Sequence, residues 1–184
     1  MRKSLICLGG LLLSGALGLA QQASLGSAEI TTWPGIKYEV IRLQRIAGDR
    51  LLVGIKLVAT DHAPKSGTLI GVKVPVPSGA SPEDIQLGRY DPKPFSLATS
   101  KITEEKTGQE YAAVPPLATG PQYIPGEIIT TLVPGRSEIL TVQFPLPPPP
   151  VDASGAPSRE KQTVSLFLPN AKDPIAKIPL PPAN

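Results

Sequence analysis

Histidine and paired acidic residues are the side chains of this sequence that could support catalysis. His62 is the single histidine, and it lies beside Asp61 in the turn-like stretch DHAPKSG. A serine triad needs such a base, but no GxSxG nucleophile motif accompanies it. One histidine is also too few for the usual zinc or copper sites. We therefore interpret His62 as a solvated turn residue and expect no catalytic residue, no cofactor and no metal site.

Two pairs of neighbouring carboxylates offer the other route to acid–base chemistry. Adjacent residues of a strand point to opposite faces, so Glu104 and Glu105 are not expected to converge. Glu83 and Asp84 follow Ser81 in a helix-start pattern, where acidic side chains are favourable. We predict that the protein is not an enzyme. A carboxylate-using enzyme and a small-ligand carrier on the same kind of scaffold remain the alternatives.

The first 20 residues are typical of a secretory signal peptide. Arg2 and Lys3 precede an apolar run that ends in small residues at a cleavage-site pattern. This predicts an exported protein, either periplasmic or associated with the cell surface. The apolar run is shorter than the roughly 20 residues of a spanning helix, and no second run follows. We expect no transmembrane segment once the leader is removed.

The composition of the mature chain excludes several partners. Without the two basic leader residues, 16 basic residues face 15 acidic ones, which leaves a formal charge of +1. Such a chain lacks the positive field that binding to nucleic acid requires. The single cysteine, Cys7, leaves with the leader, so no disulfide is expected. Scarce asparagine and 23 prolines fit either a thermostable protein or a compositional bias of the genome.

The elements that would position these residues are short strands. GIKYEVIRLQR reads as a strand with a bulge near Val40, and RLLVGIKLVAT as a central strand. TLIGVKVPVP alternates in phase but carries prolines, which indicates an edge strand or one that leaves the sheet. Weaker strands are predicted over residues 96–103 and 109–114, joined by a turn at Gly108. TVSLFLP and DPIAKIPLP supply the last two strands.

The segment EIITTLVPGRSEILTVQF predicts a hairpin. Residues 128–133 and 139–144 flank Pro134-Gly135, a pair that suits the centre of a type II turn. With almost no helix expected beyond one turn at SPEDIQL, the chain is predicted to be all-β. It should form a single antiparallel β-sandwich of seven to nine strands with long proline-rich loops over residues 34–184, preceded by a mobile segment at 21–33.

Residues 145–160 form the longest predicted loop, and its first half is a proline tract. Pro147, Pro148, Pro149 and Pro150 should adopt a stiff polyproline II conformation, followed by a flexible, solvated stretch. The loop is either a spacer within one sandwich or a recognition element, since rigid prolines lose little entropy on docking. We expect that replacing it with a short turn leaves folding intact and weakens association with a partner.

Two further groups of residues could contact a protein partner in the cell envelope. Arg42, Arg45 and Arg50 concentrate positive charge on the first hairpin, either as a solvated strand face or as a docking face for an acidic partner or anionic polymer. Tyr90 and Phe95 lie among prolines in GRYDPKPF, and aromatic residues are enriched at interfaces. The alternative is that this loop packs onto its own domain.

The stretches LLVGIKLVAT and LVPGRSEILTVQF resemble bacterial extracellular immunoglobulin-like modules, including the telokin-like group. In those modules a Pro-Gly turn precedes an alternating strand that ends in phenylalanine. The resemblance covers these two segments, implies an immunoglobulin-like sandwich used for adhesion, assembly or presentation, and carries over no catalytic residue. The chain departs from antibody-type domains because it lacks the cysteine pair and because Trp33 precedes the first predicted strand. We therefore expect a non-enzymatic binding or structural module, an accessory subunit of an envelope or surface assembly.

Overall fold

The structure is a computed structural model that describes residues 24–115, 126–151, 155 and 161–182. The predicted signal peptide lies outside these residues. The described strands are β1 (Gly26–Glu29), β2 (Ile36–Ile46), β3 (Arg50–Ala59), β4 (Thr68–Ile70), β5 (Phe95–Ser96), β6 (Lys101–Glu104), β7 (Glu110–Ala112), β8 (Glu127–Ile128), β9 (Thr130–Leu132), β10 (Ser137–Pro145), β11 (Thr163–Phe167) and β12 (Ile175–Pro179). One short helix, α1 (Pro82–Gln86), interrupts them.

Two four-stranded sheets form the sandwich. The first has the order β1-β2-β3-β10 and the second β12-β11-β6-β7. Two small ribbons, β4-β9 and β5-β8, complete the structure. Every strand pairing in the two sheets and the two ribbons is antiparallel. The prediction of an all-β antiparallel sandwich is therefore confirmed, with more and shorter strands than expected.

The first sheet follows the sequence pattern closely. Tyr38 and Val40 are fully buried on β2, and the register between β2 and β3 shifts between Val40 and Arg42, where the bulge was predicted. The turn between the strands places Gly48 and Asp49 at φ values of 76° and 50°, a left-handed conformation that glycine and aspartate tolerate. β3 lies between β2 and β10, as expected of a central strand.

The core lies between the two sheets. Its largest buried side chains include Tyr38, Leu51 and Ile55 of the first sheet and Ile102 of the second. Trp33 packs edge-on against Phe95 with ring centroids 4.9 Å apart, an arrangement that aromatic quadrupoles favour.

The two sheets also meet along both of their edges. At one edge an isolated bridge joins Ile30 to Ala171, and Lys172 N donates to Glu29 O at 2.8 Å. At the other edge Val114 N donates to Gln143 O of β10 at 2.8 Å. We call these contacts the β1–β12 seam and the β7–β10 seam. They leave the described sandwich partly closed, like a flattened barrel.

The predicted hairpin around Pro134-Gly135 is wrong, although its turn is correct. Arg136 N donates to Val133 O at 3.0 Å and Gly135 has a φ of 79°, which is the expected type II geometry. However, β9 pairs with β4 and β10 pairs with β3. The turn therefore passes the chain from a ribbon to a main sheet. Type II turns splay antiparallel strands, whereas true hairpins favour types I′ and II′.

The strand predicted from TLIGVKVPVP follows one of its two expected courses, because it leaves the sheet after Ile70. Val72 and Val76 beyond it are 52% and 54% exposed, and the prolines among them cannot donate to a ladder. Another expectation needs correction. Residues 21–33 were expected to be mobile, but those from Gly26 onward supply β1, and Ile30 and Trp33 are buried. β1 is formed by pairing with β2, which no local pattern indicates.

Three other local predictions hold, and one predicted strand is divided. Ser81 caps α1 by accepting from Asp84 N at 3.1 Å, and β6 and β7 form the hairpin with Gly108 at a φ of 70°. The stretch 96–103 divides between β5 and β6, which belong to different sheets. β11 and β12 pair with each other as the last two strands.

Candidate partner-binding surfaces

The basic residues of the first hairpin do not form one surface. Arg42 is exposed and lies opposite Gly54. Arg45 lies opposite Leu51, a core residue, and its Nε donates to Pro181 O at 2.8 Å. Arg50 donates to Pro115 O at 2.5 Å and to Gln143 Oε1 at 3.3 Å. Of the three predicted contacts, two hold neighbouring chain segments in place, and Arg42 alone is exposed.

The proline tract is only partly available to a partner. Pro147 is buried, whereas Pro148 and Pro149 are exposed and Pro150 is half-buried. Pro148 O accepts from Gln162 Nε2 at 2.9 Å, which ties the tract to the start of β11. The tract passes from the first sheet to the second, as a spacer would. Most of the flexible half predicted for this loop lies outside the described residues.

The two aromatic residues of GRYDPKPF have different surroundings. Phe95 is 3% exposed and packs against Trp33, so its predicted role as a partner contact is replaced by a role in the core. Tyr90 is half-buried and remains partly accessible. The reason for the difference is that Phe95 begins β5, while Tyr90 lies in the preceding excursion.

That excursion, residues 72–93, is the most unusual part of the described chain. We call it the arm. At its base, Val72 and Lys93 exchange two backbone hydrogen bonds of 2.9 Å each. No residue of the arm is buried, including those of α1. Val76, Ile85 and Leu87 are instead 54%, 55% and 62% exposed. A helix normally buries an apolar face, and this one does not within the structure.

The outer face of the β4-β9 ribbon continues this apolar character. Leu69, Ile129 and Val133 are 38%, 49% and 37% exposed, and the register Leu69 to Thr131 places them on one side. A side-chain carbon at Gly71 would lie 3.7 Å from both Ile129 Cγ1 and Pro92 Cβ. The base of the arm therefore adjoins this face of the ribbon.

We call the arm and this ribbon face, which adjoin at Gly71 and Pro92, the arm–ribbon surface. It contains seven of the ten large hydrophobic residues that are most exposed among those described: Leu69, Val72, Val76, Ile85, Leu87, Ile129 and Val133. The charged residues of the arm balance, with Lys73, Arg89 and Lys93 against Glu83, Asp84 and Asp91. Surface of this kind, apolar and without net charge, is typical of protein interaction sites.

The predicted acid–base candidates have structural partners. Asp84 forms an ion pair with Arg89 at 2.7 Å. Glu104 is buried and accepts a hydrogen bond from Thr107. Glu105 is exposed, and its carboxylate accepts from Lys177 N at 2.7 Å and Ser165 Oγ at 2.9 Å. These two hydrogen bonds, the first foremost, lower the pKa of Glu105.

One cavity of about 370 Å³ lies next to the β7–β10 seam. Its lining is mostly apolar, with Leu97, Val114 and Val142 prominent. Its polar lining residues are Ser96, Glu127, Thr141 and Gln143. Among the described residues, this lining includes no pair of carboxylates and no histidine.

The described residues include neither a metal-binding cluster nor a membrane-spanning helix. No group of three or more His, Cys, Asp or Glu side chains in this part of the chain could hold a metal ion. Neither is any helix there long and apolar enough to cross a membrane. His62 is exposed in its turn.

The residues that sequence reasoning missed are those of the arm–ribbon surface. Their apolar character was read as a sign of strands with buried faces. The repeated Val-Pro pattern of VKVPVP was the available signal, because a segment that cannot join a ladder is hard to bury. For Leu69 and Ile129, no local signal distinguishes an exposed ribbon face from a core strand.

Comparisons with known proteins give no family for this chain. It matches no protein-family profile, no curated protein and no solved structure at a significant level.

Proposed function

We propose that this protein is an exported, non-enzymatic binding or structural module of the cell envelope, with an immunoglobulin-like architecture, that acts as an accessory subunit of a surface assembly. The observation that carries the proposal is the arm, where a segment without one buried residue exposes Val76, Ile85 and Leu87. Exposing these side chains to water is unfavourable, by about 25 cal/mol per Å². A protein partner that covers them would recover that free energy.

The absence of net charge on the arm bears on the kind of partner. A nucleic acid or an anionic polymer is bound through clustered positive charge, and three acidic residues of the arm offset its three basic ones. A partner with an apolar contact face fits better. Arg42 and the exposed Pro148 and Pro149 are secondary contact candidates, because each remains accessible.

Affinity capture from the native envelope tests this function. The tagged protein should recover a defined partner, and Leu87→Glu should abolish recovery because a carboxylate would have to be desolvated in the contact. Ile139→Glu is the matched control, since Ile139 is similarly exposed at 57% but lies on β10, away from the arm. Equal recovery by the wild type and Leu87→Glu would overturn the proposal.

Two more variants separate the secondary candidates. A Pro148→Ala/Pro149→Ala variant and an Arg42→Glu variant each change one accessible group without touching the arm. If recovery falls with the proline variant as well as with Leu87→Glu, the tract belongs to the contact. If recovery falls with Arg42→Glu as well, the first sheet belongs to the contact.

A small-ligand carrier is the second candidate, favoured by the cavity of about 370 Å³ at the β7–β10 seam. Its volume is within the usual range of ligand pockets, roughly 300–1,000 Å³. Native mass spectrometry of the purified protein would detect a retained apolar compound. Ala98→Phe, at the lining of the cavity, should then release that compound while capture of a protein partner persists.

A further inference from the structure

We infer that the arm–ribbon surface pairs with the same surface of a second copy of this chain, giving a two-fold symmetric dimer. This inference rests on the proposed function, because it names the partner of the same surface. It requires three properties: a face that can meet its own copy, enough apolar area, and no net charge to repel the copy.

The ribbon face has a shape that suits contact with its own copy. On β4 and its flanks, Gly67 and Gly71 stand on either side of Leu69. A side-chain carbon at Gly67 would lie 3.1 Å from Val133 Cγ1, and one at Gly71 would lie 3.7 Å from Ile129 Cγ1. The side chains of Thr131, Val133 and Ile129 therefore lie close to the two glycines that flank Leu69. Neither glycine adds a side chain of its own to this face, and faces of sheets pack on each other at about 10 Å.

The apolar area is comparable with what a dimer of ordinary size needs. Complete burial of one aliphatic side chain corresponds to roughly 100 Å² at about 25 cal/mol per Å². The seven side chains of the surface are 37–62% exposed, so they present on the order of 350 Å². A standard interface buries about 800 Å² per partner, of which about 450 Å² is apolar. The surface supplies most of that share.

Charge is compatible with self-association. Two copies in an isologous contact present the same residues to each other, so a charged surface would repel itself. The arm carries equal numbers of acidic and basic residues, and its Asp84 and Arg89 already pair within one copy. Dimerisation should therefore change little with salt, in contrast to binding through a basic face.

Sedimentation equilibrium of the mature chain tests the inference. Between about 5 and 200 µM, the wild type should shift from monomer to dimer, with a similar dissociation constant at low and high salt. Ile129→Glu should raise that constant at least about tenfold, because each copy would have to bury an unpaired carboxylate in an apolar contact. Ile139→Glu, the control outside the surface, should leave it unchanged.

Three results would overturn the inference, and they separate it from the proposed function. A wild type that stays monomeric while its envelope capture depends on Leu87 assigns the surface to a different protein. A monomer whose capture is also insensitive to Leu87→Glu removes both proposals. A dimer that Ile139→Glu disrupts as strongly as Ile129→Glu places the contact elsewhere. Circular dichroism of both variants would confirm that they fold.

Discussion

At the residue scale, Tyr38 connects the two layers of the sandwich. Its ring is fully buried on β2, and its hydroxyl donates to Pro169 O at 2.9 Å in the turn after β11. Burial raises the pKa of this hydroxyl well above its ordinary value, so it remains a donor under all ordinary conditions. A buried phenol with one good acceptor fixes the position of the turn.

Tyr38→Phe should destabilise the protein by about 1–2 kcal/mol, because Pro169 O would lose its donor inside the protein. Urea denaturation followed by circular dichroism would measure the change. Tyr111→Phe removes the same atom from a half-buried ring and should cost less than about 0.5 kcal/mol. Equal losses for the two variants would contradict the assigned role of the hydrogen bond.

A single carboxylate performs a similar task on the second sheet. Glu105 accepts from Lys177 N, Ser165 Oγ and Thr163 Oγ1. Lys177 has a φ of 57°, and the register between β11 and β12 shifts nearby. The backbone N–H of Lys177 donates to the Glu105 carboxylate. The left-handed backbone at Lys177 in β12 is thus supported by one side chain of the β6–β7 turn.

Glu105→Gln should lower stability by less than about 1 kcal/mol at pH 7, because solvent screens this exposed carboxylate, and by much less in acid. The folded pKa of Glu105 lies below its ordinary value of 4.5. Its contribution is therefore complete above pH 4.5 and is lost as the pH falls through the folded pKa. Thermal melts of wild type and variant from pH 3 to pH 7 should converge at the acid end. Glu138→Gln, at an exposed carboxylate of β10, is the control variant and should melt as the wild type does at pH 7.

At the element scale, the turn at Pro134-Gly135 shows what local sequence can and cannot specify. Its dipeptide sets the backbone angles, and these were predicted correctly. The partners of the flanking strands were not predicted correctly. β10 pairs with β3, which is distant in the sequence, so no local pattern specifies this pairing. Alternation in β2, β3 and β11 predicted the buried faces well, since it reports a sheet with one side in the core.

Gly135→Ala should destabilise the protein by about 1 kcal/mol through backbone strain alone. Gly135 has a φ of +79°, and an added side-chain carbon would meet nothing within 4 Å, so no clash contributes. Gly79→Ala is the matched control, with equally open surroundings and no positive φ recorded. It should be neutral or slightly stabilising. Thermal denaturation would separate the two variants, and equal melting temperatures would contradict the strain argument.

The candidate site was less predictable than the fold for a related reason. The sequence marks Leu69, Ile85 and Ile129 as apolar but not as exposed. Exposure depends on what the rest of the chain covers, which is a property of the assembled sandwich. Phe95 and Tyr90 illustrate the same limit, since two aromatic residues five positions apart differ in burial. Only the Val-Pro alternation near Val76 indicated a segment outside the sheets.

At the scale of the whole molecule, the two ends of the described sandwich lie along the same strand. Leu25 N donates to Val40 O at 2.7 Å, and Pro181 O accepts from Arg45 Nε at 2.8 Å. Val40 and Arg45 are separated by about 17 Å of β2, at roughly 3.3 Å per residue. The β1–β12 seam holds both terminal strands beside each other.

A circularly permuted chain should therefore fold. Joining residues 24 and 182 with a short Gly/Ser linker and opening the chain at Gly108, in an exposed turn, should preserve the all-β circular dichroism spectrum and most of the stability. Opening the chain at Gly54, inside β3, should prevent folding because it cuts the central strand. Failure of the permutant opened at Gly108 to fold would contradict the claim that a short linker can join the two ends.

The closeness of these ends also determines how the sandwich would be attached to any polypeptide joined to it. A module whose two termini lie at opposite ends adds its own length to the chain that carries it. Here both connections would join the sandwich beside β2. The sandwich would therefore project to one side and would add little length between the segments joined to it. Its remaining surface would be free to turn about these two neighbouring connections.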